Sequence, residues 1–170
     1  MTPSELLIEE FSRIQGSVRT ALKNATIATL TYRADADANT IAWLTWHLSR
    51  GQDDHIADLA GTEQVYTAQG WDERFDLPFG PTRIGYGFTS AEVAAVRADA
   101  ELLGGYYDAV HTATLAYLAT LSAADLDRVV DESWTPAVTV GVRLASVLAD
   151  DLQHAGQAGF VRGLADRAGV

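Results

Sequence analysis

The 170-residue chain contains no cysteine and a single lysine, Lys23. The first absence excludes disulfides, zinc–thiolate sites and a cysteine nucleophile, so any thiol chemistry must use a sulfur brought in by a small molecule. Positive charge is scarce: 12 basic residues face 23 acidic ones, for a net charge of −11. With no basic run to follow a phosphate backbone, nucleic acid is excluded as a partner. No apolar stretch reaches the roughly 18 to 20 residues of a membrane span, and the N-terminus lacks the charged segment and apolar core of a secretory signal. The expectation is a cytoplasmic protein without a membrane partner. Glycine-rich phosphate loops, a nucleophile elbow and a Ser/His/Asp order are also missing.

What is present is helical periodicity. Thr2-Pro3-Ser4-Glu5 combines a cap, a proline suited to the first turn and a capping box, and Leu7, Phe11, Ile14, Val18 and Leu22 recur at three- and four-residue intervals. The pattern predicts a first helix to about Ala25. Asn39 is placed as the N-cap of a second helix through about Leu59. The stretch from Gly61 to Gly87 holds Gly70, Pro78, Gly80, Pro81 and Gly85 and reads as a long irregular crossover. A second capping box, Thr89-Ser90-Ala91-Glu92, opens a third helical region that continues or restarts at Asp99 and runs to about Leu121. Ser122 to Val130 suggests a short extra turn, and a last helix of about 25 residues follows Pro136. No strand pattern stands out. At this length one domain, residues 1–170, buries about two-thirds of its unfolded surface. The fold class is therefore all-α, a four-helix bundle with a long crossover between helices 2 and 3.

Two segments carry chemistry. In Asp150-Asp151-Leu152-Gln153-His154, Asp150 lies about 40 degrees around the helix from His154 and one turn earlier, so the two side chains converge. Asp151 is the rival, about 60 degrees to the other side, because an i,i+3 pair also chelates. The other segment is Trp43-Leu44-Thr45-Trp46-His47-Leu48, with Gly51 one turn beyond His47. Taken alone, His47 reads as a core histidine bonded to a backbone carbonyl. A second inward histidine with a carboxylate one turn away changes the weighing, since bundle interiors build metal sites from facing helices. His47, Asp150 and His154 are thus the candidate ligands of a divalent metal; two nitrogens and one oxygen suit zinc, nickel, iron or manganese, with Zn2+ the expected ion. His55 and Asp54 are too far along the helix to share a first shell with His47 and are placed at the helix end. His111 is a marginal candidate. Arg50 and Arg143 are expected to pair with surface carboxylates, and Trp43, Trp46, Leu44 and Phe160 to wall an apolar pocket.

The helix order, the His-bearing second helix and the closing Asp-x-x-x-His-x-Gly-Gln segment, Asp150 to Gln157, resemble the DinB-like superfamily over nearly the whole chain. Within it the chain looks most like the mycothiol-dependent branch, which contains mycothiol S-transferases and maleylpyruvate isomerases. The resemblance implies a four-helix bundle holding a divalent metal, here through His47, Asp150 and His154. It also implies a thiol cosubstrate, mycothiol, attacking a small-molecule electrophile. Aspartate at the middle position is a departure, since many members carry histidine there and the maleylpyruvate isomerases glutamate. Mycothiol belongs to bacteria with GC-rich genomes, which agrees with arginine standing almost everywhere for lysine. Metal-assisted hydrolysis and a non-catalytic metal-binding or stress-response bundle are the competing readings. Helix faces of such a bundle would also allow a homodimer.

Overall fold

A computed structural model describes residues 1–170. Four long helices make the body: α1, Pro3–Leu22; α3, Ile41–Ala60; α7, Ala100–Leu118; and α8, Val140–Ala168. Short helices fill the connections: α2, Ile27–Leu30; α4, Val65–Ala68; α5, Trp71–Phe75; and α6, Ser90–Ala95. No helix is long and apolar enough to cross a membrane.

Side-chain pairs fix the directions. Ser4 bonds the carbonyl of Leu118 and Arg19 bonds Asp108, so α1 and α7 are antiparallel. The rings of His47 and His154 meet while His55 meets Arg143, so α3 and α8 are also antiparallel. Gln52 meets Thr114 and Arg50 meets Tyr106, which sets α3 and α7 parallel. This is an up-down-down-up bundle, and the parallel α3–α7 pair is what demands a long crossover. The expected all-α bundle with that crossover is the observed fold.

Local rules place most boundaries. The capping box at Thr2 and Glu5 and the one at Thr89 and Glu92 both form, and Asp99 caps a restarted helix. Helix α1 stops at Leu22, short of Ala25, because Asn24 turns with φ of 54°. Thr40, rather than Asn39, accepts the first-turn amide of α3. α7 ends at Leu118 instead of Leu121, and α8 runs 29 residues, longer than periodicity suggested. The crossover is not wholly irregular, since α4 and α5 form within it. The expected turn after Ser122 is a 3-10 turn, Ala124–Asp127. A two-stranded antiparallel ribbon, β1 (Val129–Asp131) with β2 (Val138–Thr139), was not anticipated. Two or three residues per strand are too few to show alternation.

The main core gathers α1, α3, α7 and α8 with the crossover around Trp46, Leu48, Tyr106 and Tyr107, while Phe11, Ile56, Leu118 and Leu144 form a smaller cluster. Helix α3 is buried on every side from Ile41 to Arg50. A helix so placed must satisfy every polar side chain inside the protein.

Candidate metal centre

Helix α3 presents His47, Gly51 and His55 at four-residue spacing, and antiparallel α8 sets Ser146, Asp150 and His154 against them at the same spacing. One ligand atom each from His47, Asp150 and His154 falls within 4.8 Å of the other two, a group that could hold a metal ion. These are the three residues singled out by spacing. Asp151 is outside the group: it is completely buried, with neither carboxylate oxygen hydrogen-bonded. Burial, and then the charge of Asp150, push its carboxyl well above the usual range.

Each imidazole is held by one nitrogen. Nδ1 of His47 donates to the carbonyl of Ile84 in the crossover, and Nδ1 of His154 donates to Gln157 Oε1 at 3.1 Å. In both neutral rings the lone pair is then on Nε2, the arrangement that orients metal-binding histidines. His47 is therefore a buried histidine on a backbone carbonyl, as it reads alone, and its other nitrogen is left free beside Asp150 and His154. Nε2 of His154 lies 3.4 Å from Asp150 Oδ1. That pairing raises the pKa of His154 and lowers that of Asp150, while burial lowers that of His47. The donor set thus fits a cation: two oriented nitrogens beside one ionised oxygen.

Packing fixes His47 further. Trp43 stacks on it with ring centroids 4.6 Å apart and meets His154 edge-on. Gly85, with φ of +101°, lies against Nδ1 of His47, and an added Cβ there would sit 2.6 Å from that atom. Only glycine allows the crossover to approach this closely in that conformation.

Arg50 holds the same crossover. It is fully buried, not paired at the surface as expected from sequence. Its guanidinium donates to the Pro81 carbonyl at 2.7 Å and to Gln64 Oε1 at 2.8 Å, and stacks over the Tyr66 ring. Asp53, 3.6 Å away, accepts from the amides of Val65 and Tyr66 and from the Tyr106 hydroxyl. Burial raises the Asp53 pKa against these bonds. Residues 47 and 50 of α3 thus bind the carbonyls of residues 84 and 81, anchoring the segment that orients His47.

A cavity of about 260 Å³ opens beside the ligands, lined by His47, Gly51, His55, Ile84 and Tyr86 with the facing residues of α8. A Cβ on Gly51 would come to 3.8 Å from Asp150 Oδ2, so its lack of a side chain keeps the middle of the cavity open. The pocket walls expected from sequence are only partly right. Trp43 braces His47, but Trp46 packs on Phe79 and Phe88, Leu44 is in the core and Phe160 is exposed away from the cavity. His111 is buried and stacks on Tyr107, outside the ligand group. His55 is outside it too, yet shares the cavity. Sequence reading missed Gln157, Ile84, Gly85 and Arg50 as supports; only the His154–Gln157 spacing of three was available as a signal. A larger hollow of about 440 Å³ between α3 and α7, lined by Ile56, Ala57, Val110 and Ala113, contains none of the three candidate ligands.

No curated protein matches the chain. Its backbone is similar to a crystal structure of a conserved protein from Enterococcus faecalis, at 31% identity and a TM-score of 0.89, covering 95% of this chain and 96% of that one. Residues 10–158 match the DinB superfamily, and with the bundle topology and the His–Asp–His group in place the chain belongs to that superfamily.

Proposed function

We propose that the protein holds a divalent cation, Zn2+ first, through His47, Asp150 and His154, and acts as a thiol S-transferase on a small-molecule electrophile. The supporting observation is that two imidazoles, each fixed through Nδ1, converge with a carboxylate beside an open cavity. The cation, when bound, supplies a lowered pKa for a coordinated thiol, so that it is ionised at neutral pH. The protein has no cysteine, so the sulfur is the cosubstrate's; resemblance to the mycothiol-dependent branch makes mycothiol the first thiol to test. The Ile84 carbonyl and Gln157 hold the ligand rings, Trp43 excludes water behind them, and Ile84 and Val147 give the electrophile an apolar wall. Attack of the cosubstrate's thiolate on the electrophilic carbon would form a carbon–sulfur bond and break that carbon's bond to its leaving group, chloride for a chlorodinitrobenzene, with the thiol proton and the leaving group both released to solvent. The reading puts this chemistry in the cytoplasm.

The test is the metal content of untagged protein beside His47→Ala and His154→Ala, followed by conjugation of mycothiol to a chlorodinitrobenzene-type electrophile. Near-stoichiometric metal in the wild type, lost in both variants together with conjugation, is expected. A wild type that takes up no divalent metal on reconstitution overturns the reading. Metal-dependent turnover that needs no thiol would replace it with hydrolysis.

A further inference from the structure

The cavity has a second polar end. Gly51 separates His47 from His55 along the same stripe of α3, with the two histidines about 12 Å apart along the helix axis. Arg143 reaches His55 from α8, its NH1 lying 3.1 Å from His55 Nδ1, and its other nitrogen lies 3.4 Å from Asp131 of β1. A guanidinium can only donate, so Nδ1 of His55 accepts and the neutral ring carries its proton on Nε2. No group of the protein accepts from that Nε2–H. His55, which lines this cavity and also an adjoining hollow with Asp54, Asp58 and Arg143, is therefore a donor without a partner, in a tautomer fixed by Arg143.

The charges around it select what it would bind. Arg143 is offset by Asp131, and Asp54 Oδ2 lies 3.7 Å from His55 Nδ1. A carboxylate arriving at Nε2 would meet this acidic surround, whereas an uncharged oxygen would meet only the donor. We propose that the His55 end of the cavity is a recognition subsite for a neutral hydrogen-bond acceptor, an amide or ketone oxygen, on the far end of the molecule whose reactive end sits at His47, Asp150 and His154. The subsite rests on the metal reading but not on the thiol chemistry.

The experiment uses the full chain loaded with Co2+, whose visible spectrum reports chelation, titrated with alkyl hydroxamates. Three carry a six-carbon chain ending in a primary amide, a methyl group or a carboxylate; acetohydroxamate is too short to reach His55. The amide is expected to bind about five- to tenfold more tightly than the methyl- or carboxylate-ended chains, the worth of one neutral hydrogen bond. His55→Phe should abolish that preference while leaving cobalt and acetohydroxamate binding unchanged. His55→Gln, which restores an N–H donor, should recover part of it. Equal affinity for all three chains in the wild type, or an amide preference that survives in His55→Phe, overturns the subsite. A tighter carboxylate overturns the neutral-acceptor assignment. Failure to bind cobalt overturns the metal reading and the subsite with it, whereas a cobalt protein that discriminates these chains yet conjugates no thiol overturns only the transferase reading.

Discussion

Helix α3 carries two polar clusters three residues apart in sequence, and they are built to opposite plans. Around Arg50 and Asp53 both side chains are almost wholly buried, and every donor and acceptor except the Arg50 Nε has a partner. Around His47 the reverse holds: each ring has one nitrogen anchored, the remaining ligand atoms converge, and Asp150 is exposed to a cavity. A saturated network has nothing left to offer a ligand; it spends its bonds on holding chain segments together. A cluster whose lone pairs point at one another from fixed rings is costly unless something positive lies between them. A buried, nearly saturated network thus marks scaffold in the first case and a half-exposed, unsaturated one a candidate site in the second, and the two are joined through the crossover.

Breaking the closed cluster should have the largest effect. Asp53→Asn leaves Arg50 buried without its counter-charge and should cost about 3–5 kcal/mol of stability, read from urea unfolding. A loss under 1 kcal/mol would mean that the ion pair is not what fastens the crossover. The linkage is sharpened by Gly85→Ala, which places a Cβ against His47 Nδ1 at a positive φ. Chelator competition should show metal affinity reduced about 10- to 100-fold, as for loss of an outer-shell partner, with α-helical content retained. Unchanged affinity would show that the crossover does not orient the ligand. The smallest effect concerns His111, buried on Tyr107 and part of neither cluster, whose pKa burial lowers. The unfolded chain then takes up a proton at higher pH than the native protein does, so this group's contribution is full above the unfolded histidine pKa and is lost as pH falls through it. His111→Phe should flatten the decline in stability between about pH 7.5 and pH 5 by a fraction of the roughly 1.4 kcal/mol per pH unit that one proton allows. A parallel decline in wild type and variant would refute it.

The ligand group was legible because helix periodicity converts spacing directly into direction: Asp150 and His154 meet whatever the rest of the fold does, and His47 stands on an apolar stripe. Arg50 was misread for the same reason. Its spacing says only that it shares a helix with Asp53; that Pro81, Gln64 and Tyr66 would close over it depends on a crossover with no period to read. His55 was dismissed by its axial distance from His47, which is sound for a shared coordination shell and silent about a shared cavity.

The sequence by itself determined the four long helices, two of the capping boxes, the all-α bundle and the placing of an aspartate one turn before His154, because these depend on hydrogen bonds and periodicities within a few residues. The tertiary structure alone decided that Asp150 rather than Asp151 joins the histidines, that Ile84 and Gln157 fix the rings, and that Gly51 opens a cavity as far as His55. Those outcomes turn on the relative rotation of α3 and α8 and on where the crossover comes to rest, which long-range packing sets and no local pattern encodes.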